Sequence, residues 1–563
     1  MFDAIVIGSG MSGGIAAKEL CERGLKTLVI ERGKKMEHGA SYTDMLQPWD
    51  VPNAGAIPEE ELARDYQIQR HCYAVSTATQ QYWVKDSEHP YSMPEDKPFW
   101  WIRGYHLGGR SIMWGRQTYR MSEMDFQSNA RDGHGADWPI RYADLAPWYD
   151  HVETFIGVSG SMEGLPQLPD GKFLPAMAMN DGEKAFKAGV ESNFPDRKVI
   201  IGRCAHLTEP KEHHTALGRN QCMNRSLCER GCSLGAYHSS LSSSLPAAEA
   251  TGNLTIVTDA IAHSIITDPK TGKATGVRVI DQNTKEGRVY EAKVIFLNAS
   301  TIPTAQILLN SKSEAHPRGL ANSSDMVGRG LTDHLYGLGY AAIMPGPETV
   351  YKGRRPNGLY IPRYRNLPGG AEETDFVRGY GFQGSVQRTG WRSVASSTPG
   401  VGVELKDRVR KPGDWMTFFS GFGEMLPDPN NRVTLHASKV DQWGIPLVHI
   451  DCAHGENDKK MAKAILADGK AMIEAAGGKI VQARTELVPP GLGIHEMGTA
   501  TMGKDPKTSV LNKYNQAHDV PNLFITDGAA MASGGCQNPS LTYMALAARA
   551  AHHATEFLKA GTI

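Results

Sequence analysis

A histidine and an asparagine near the C-terminal end are the first residues of this sequence whose types and spacing suit chemistry. The histidine lies in a glycine-rich run, Gly493-Ile494-His495-Glu496-Met497-Gly498-Thr499-Ala500-Thr501-Met502-Gly503. Asn538 follows 43 residues later, in Gly534-Gly535-Cys536-Gln537-Asn538-Pro539-Ser540-Leu541-Thr542. A neutral imidazole can take a proton from a hydroxyl group, and a carboxamide can hydrogen-bond the same oxygen. Pro539 suits the first position of a helix, which leaves the following N–H groups free for a bound ring or phosphate. A lone histidine is more often a satisfied structural residue. The glycine-rich loop and the Asn-Pro turn raise His495 above that reading.

The element that must position a ligand beside this pair stands at the other end of the chain. Phe2 to Ile7 reads as a buried strand, Gly8-Ser9-Gly10-Met11-Ser12-Gly13 follows at once, and Ile15 to Glu22 is apolar at helical spacing. Thr27 to Ile30 is a second apolar strand, ending in Glu31, 23 residues after Gly8. Gly8 permits the tight turn, Gly10 lets a pyrophosphate approach the backbone, and Gly13 lets helix and strand pack closely. The helix start offers N–H groups and a positive dipole end to the phosphates, and Glu31 stands where it can accept ribose hydroxyls. A lone glycine fingerprint is weak. Here strand, helix and acid all fall where a dinucleotide site needs them.

A chain of 563 residues is long enough for two or more cores. Its formal net charge of −1 provides no global field for nucleic acid or an anionic membrane. No apolar run reaches about 18 residues, so no transmembrane helix is expected. Met1 sits one residue before the first strand, leaving no room for a signal peptide. The expected location is therefore cytoplasmic, or periplasmic by export together with a partner.

Residues 35–100 are polar and rich in Tyr, Trp and His, too long a stretch for an idle loop. The spacing predicts helices over 142–156, 181–192, 239–250, 299–310, 456–476 and 540–558. Short strands are expected at 198–201, 205–208, 253–257 and 523–528, a hairpin over 262–292, and a separate buried strand over 293–297. Alternating runs between 336 and 450 suggest an antiparallel sheet. The expected class is α/β, with a discontinuous dinucleotide-binding domain (1–155, 200–335 and 490–563) and a substrate domain (156–199 and 336–489).

These stretches together resemble the glucose–methanol–choline family of flavin oxidoreductases over essentially the whole chain. The likeness rests on Gly8 to Gly13 with Glu31, on Gly108-Gly109-Arg110-Ser111, and on Ala299 to Ser311. It rests also on Val327 to His334, on the His495 loop, and on Asp527-Gly528 with Asn538-Pro539. The resemblance implies a Rossmann-like domain binding FAD, and His495 and Asn538 as the catalytic pair beside the flavin N5. It implies cofactor contacts from Gly8, Gly10, Ser12, Gly13, Glu31, Arg32, Gly108, Gly109, Ser111, Trp114, Gly115, Asp527, Gly528, Asn538, Pro539, Ser540 and Thr542. Gln537 reads as a hydroxyl contact or a structural amide. Glu496 reads as an acceptor behind the histidine or a surface acid.

Within the family the chain looks most like bacterial sugar dehydrogenases, glucoside 3-dehydrogenases above all. That implies oxidation of a sugar hydroxyl at C3, and electrons passed to a cytochrome c with a small twin-arginine-exported subunit as partner. The alternatives are an oxidase using oxygen and a non-redox lyase. Relatives that bind FAD covalently use a histidine in Ser-Thr-His-Trp. The matching stretch here is Ser111-Ile112-Met113-Trp114, so the FAD is expected to be non-covalent. Some multi-subunit relatives carry an iron–sulfur cluster near Cys222, Cys228 and Cys232, whose three close thiols suit one while Met223 is a poor ligand.

Overall fold

The computed structural model describes residues 1–349, 358–370 and 375–563; the parts of the expected substrate segment at 350–357 and 371–374 lie outside the described residues. The chain builds two seven-stranded sheets, and the first grows from the N-terminus. Strand β1 (Phe2–Ile7) leads through the glycine turn into helix α1 (Met11–Glu22), and β2 (Thr27–Ile30) returns parallel to β1 with Ile5 opposite Leu28. Ala4, Ile5 and Val6 are fully buried, as unbroken apolar strands of a parallel sheet covered on both faces should be.

Helix α2 (Tyr142–Ile156) comes after the long excursion. Four strands then follow: β3 (Leu254–Val257), β4 (Ala260–Thr267), β5 (Ala274–Asp281) and β6 (Gly287–Leu297). Helix α3 (Thr301–Asn310), strand β7 (Leu523–Ile525) and helix α4 (Ser540–Lys559) complete the layer. The sheet order is β3-β2-β1-β6-β5-β4, with β7 also pairing β6 in parallel. Helices α1, α2 and α4 pack on one another over this sheet.

The second sheet is antiparallel, as the alternating runs led one to expect. Its order is Lys479–Arg484, Gly339–Met344, Trp415–Glu424, Tyr380–Arg388, Leu359–Ile361 and Ile200–Ile201, with His334–Leu335 also against Trp415–Glu424. Ile200–Ile201 and His334–Leu335, expected at the two edges of a dinucleotide-binding segment, both pair into this sheet. The helix Glu456–Ala475 buries Met461, Ile465 and Met472 against it.

Three local expectations change. Residues 239–250 form a π-turn over Ser240–Ser244 and then a short α-helix over Leu245–Glu249. Pro246 has no N–H to continue the ladder, and Ser243 Oγ bonds back to the Ser239 carbonyl at 2.7 Å, so serine side chains compete with the regular pattern. Residues 205–208 make no strand; Cys204 and His206 form only isolated bridges. The two strands expected over 288–297 are one, β6, whose first half pairs β5 and whose second half pairs β1.

Candidate active site

The glycine turn does what its residue types require. Gly8 has φ +97°, and a Cβ there would lie 2.4 Å from the Asn298 carbonyl oxygen. A Cβ on Gly13 would lie 2.0 Å from the Gly8 carbonyl oxygen, so this glycine serves helix–strand contact. A Cβ on Gly10 would meet no atom within 4 Å, which leaves its face open to a ligand. Gly10 begins α1 with no side-chain cap, so the first helical N–H groups remain available to an anion. Glu31 takes the Ser9 N–H at 3.1 Å and the Gly33 N–H at 2.8 Å, and burial raises its carboxyl above the ordinary range.

These groups open onto one cavity. Among the expected contacts it is lined by Gly8, Gly10, Ser12, Glu31, Arg32, Gly109, Ser111, Asp527, Gly528, Pro539 and His495. Its walls join both sequence ends with the connection between β6 and α3, where Asn298 and Ser300 sit. Asn298 Nδ2 donates to Ser12 Oγ and Thr526 Oγ1, while its Oδ1 is buried and unpartnered. A free acceptor, uncapped helical N–H groups and the open face at Gly10 fit a dinucleotide carrying hydroxyls and phosphates. Asp527 is spent inside the wall: it accepts from Ser300 N–H, Thr304 Oγ and Ala529 N–H, and burial lifts its carboxyl to about 6.

Other expected contacts are displaced from the cavity wall. Gly108 donates its N–H to Ser9 Oγ at 2.8 Å and so braces the turn from behind. Trp114 gives its indole N–H to the His238 carbonyl. Gly13 and Gly115 do not line the cavity. Ser540 bonds Tyr543 OH, and it is Tyr543 that faces the cavity. Thr542 points the other way along α4, to Tyr149 OH of α2 at 2.9 Å. Gln537 is buried with its amide on Asp125 Oδ2 at 3.1 Å, which is the structural role. On α4, one-residue spacing decides between Thr542 and Tyr543, because a helix turns each successive side chain by about 100°.

His495 lines the cavity, and its Nε2 is 3.3 Å from Nδ2 of Asn538, which stands just behind the lining residues. Asn538 Oδ1 in turn accepts from Gln383 Nε2 of the antiparallel sheet at 2.6 Å. The His495 loop is gripped by a single carboxylate. Asp333 accepts the N–H groups of Gly491 at 2.7 Å, Gly493 at 2.9 Å and His495 at 3.1 Å. Burial first, and then the charge of Glu496, lift the Asp333 carboxyl to about 6. Arg110 pairs with the buried Glu496 at 2.9 Å beside the same cavity, so Glu496 is not a surface acid. Burial holds His495 neutral, well below the usual imidazole range, with His334 and Arg110 adding to the effect. Asp333, Gln383 and Asn298 were missed in the sequence because each acts from a distant segment; the run Thr332-Asp333-His334 offered a signal but no role.

The cysteine cluster is a correction. Cys222, Cys228 and Cys232 line a small separate hollow with His206 and Tyr237. Among the described residues no group of three or more His, Cys, Asp or Glu is placed to hold a metal ion. Cys228 Sγ instead lies 3.8 Å from His206 Nε2, and burial raises the Cys222 thiol to about 11 and the Cys232 thiol as well, which disfavours the thiolates a cluster needs.

A glycine-turn dinucleotide fold whose cavity is lined by a neutral imidazole beside a carboxamide defines a flavoprotein oxidoreductase acting on hydroxyl groups. Comparison with known proteins agrees. The GMC oxidoreductase N-terminal model matches residues 2–336 and the C-terminal model matches 427–547. The chain belongs to the GMC oxidoreductase family, whose members bind FAD and oxidise CH–OH groups. It is 30% identical to the 2-methyl-1,2-propanediol dehydrogenase of Mycolicibacterium austroafricanum, over 97% of this chain and 94% of that one. It is 27% identical to the fructose dehydrogenase large subunit of Gluconobacter japonicus, over 99% and 98%. The solved formate oxidase of Aspergillus oryzae shares the fold, with a TM-score of 0.61 at 14% identity over 99% of both chains.

Proposed function

We propose that this protein is an FAD-dependent dehydrogenase that oxidises a secondary hydroxyl of a sugar or glycoside, C3 giving a 3-keto product. The observation that carries the reading is the His495–Asn538 pair, 3.3 Å apart, at the dinucleotide cavity. The substrate oxygen is held by a hydrogen bond from Asn538 Nδ2, whose orientation Gln383 fixes from the antiparallel sheet. The same hydroxyl gives its proton to His495 Nε2, neutral at physiological pH. FAD supplies the hydride acceptor when bound. The α4 N-terminus at Pro539 adds positive potential to the cavity wall, where Arg110 is paired with Glu496. The buried Met113 thioether stands where a histidine linkage is found in covalent relatives, which supports non-covalent FAD.

The likeness to a protein described as a large subunit supports assembly with a further subunit; a small twin-arginine-exported partner, periplasmic location and a cytochrome c acceptor are part of the same proposal. The test is an anaerobic panel of sugars and glycosides scored by bleaching of the flavin band, with NMR of the keto product. His495→Ala should retain flavin and lose turnover on the order of 10²–10⁴-fold. Full activity in that variant overturns the reading.

A further inference from the structure

We propose that His334 is a positioning residue that locks His495 in the one tautomer able to act as a base. The inference rests on the assignment of His495 as that base. His334 Nε2 is 2.9 Å from the Gly535 carbonyl oxygen. A carbonyl has no proton to give, so His334 Nε2 carries one and donates it. His334 is fully buried and held neutral, with its imidazole pushed down to about 4 by burial. A neutral imidazole carries a single N–H, so His334 Nδ1 is a bare acceptor.

His495 Nδ1 lies 3.1 Å from that acceptor, and the two rings meet edge-on at 86°. His495 Nδ1 must therefore hold the proton, and His495 Nε2 is left with a lone pair. The other side of the ring agrees independently. Gln383 occupies Asn538 Oδ1, which turns the Asn538 NH2 toward His495 Nε2. The result is a one-way chain of donors: Gln383 to Asn538, Asn538 to His495, His495 to His334, and His334 to the Gly535 carbonyl. Both ends of the chain meet in fixed places, the antiparallel sheet and the backbone of the loop that carries Asn538. The opposite tautomer would face donor against donor at Nε2 and acceptor against acceptor at Nδ1.

Three charged groups face this pair. Glu424 acts on His334 from the strand Trp415–Glu424, Arg110 acts on His495, and Asp333 holds the His495 backbone. These remain in every variant below, so changes in pH profile report on position 334 alone.

The test compares three substitutions, each checked for flavin content and thermal stability. His334→Leu removes the acceptor; kcat should fall about 100-fold or more with little change in KM. The acidic limb of kcat/KM should move to lower pH, because the protonated His495 loses its partner. His334→Asp restores an acceptor and adds charge, so the limb should move to higher pH. His334→Asn, with an amide oxygen near the Nδ1 position, should recover most of the lost turnover. Opposite movements in the Leu and Asp variants are not an effect of loosened packing. If His334→Leu does not fold, the Asp and Asn variants decide by the same criteria. Wild-type turnover in His334→Leu, or equal losses with an unmoved limb in all three, overturns the proposal. If His495→Ala is inactive in that case, the base assignment stands without it; if His495→Ala is active, the base assignment itself fails.

Discussion

Replacing Asp333 by Asn separates the stability of the fold from the placement of the base. The carboxylate accepts three backbone N–H groups, two on Oδ2 and one on Oδ1. An amide has one oxygen. If it keeps Gly491 and Gly493, its NH2 faces the His495 N–H, donor against donor. Loss of a hydrogen bond to a charged acceptor costs about 1.5–3 kcal/mol. Against this, the carboxyl titrates at about 6 in the fold and at 3.8 ordinarily. That gap of roughly 2.2 corresponds to about 3 kcal/mol of penalty on the ionised form near pH 7, which the neutral amide escapes. The two terms nearly cancel, so the melting temperature at pH 7 should change by only a few degrees. The His495 loop, however, shifts, and a displacement of about 1 Å costs on the order of 10²-fold in rate. A carboxyl raised in the fold binds its proton more tightly there than in the unfolded chain. Its contribution is therefore full below pH 3.8 and lost as pH rises through about 6. The Asn variant should lose that part of the pH dependence of stability. Calorimetry across pH 4–7 beside kcat measurements decides the matter. A variant with wild-type kcat, or one whose turnover falls only as far as its stability does, refutes the reasoning.

The glycine turn gives a contrasting pair. Gly13→Ala puts a methyl 2.0 Å from a backbone oxygen and should cost about 3 kcal/mol or more, with loss of flavin. Gly10→Ala meets no protein atom and should leave the melting temperature of the apoprotein unchanged while weakening flavin retention, read from absorbance after dialysis. Acid precipitation should release all flavin to the supernatant, since Met113 cannot form the histidyl bond; colour left in the pellet would show another attachment.

The glycine turn, both sheet types and the His495–Asn538 pair were legible in the sequence because their signals are local. Gly8, Gly10 and Gly13 carry their reasons within one strand–turn–helix unit, and the pair lies in two recognisable glycine-rich loops. What escaped notice is held by long-range geometry. The 2.7 Å bond from Gly491 to Asp333 spans separate segments, and nothing around Asp333 announces three bonds to a loop some 160 positions away. Thr542 and Gln537 are placed by side-chain direction, which their motif does not show. They sit in the right motif, but their side chains turn to Tyr149 and Asp125. The cysteines failed because spacing does not reveal burial, and buried thiols keep their protons.

Strand β6 makes the order of synthesis matter. Ile295 pairs with Ile5 on one side and with Leu523 on the other. At roughly 5–20 residues per second, about 15–60 s separate translation of Ile5 from that of Ile295, and Leu523 comes later still. Throughout that interval the emerging chain carries β1 with an unpaired apolar edge, the kind of surface that recruits chaperones or neighbouring nascent chains. The cavity wall also needs Asp527, Pro539 and Tyr543, which are translated long after the glycine turn they face. The wall around the glycine turn is therefore complete only once segments from both sides of β6 have folded together.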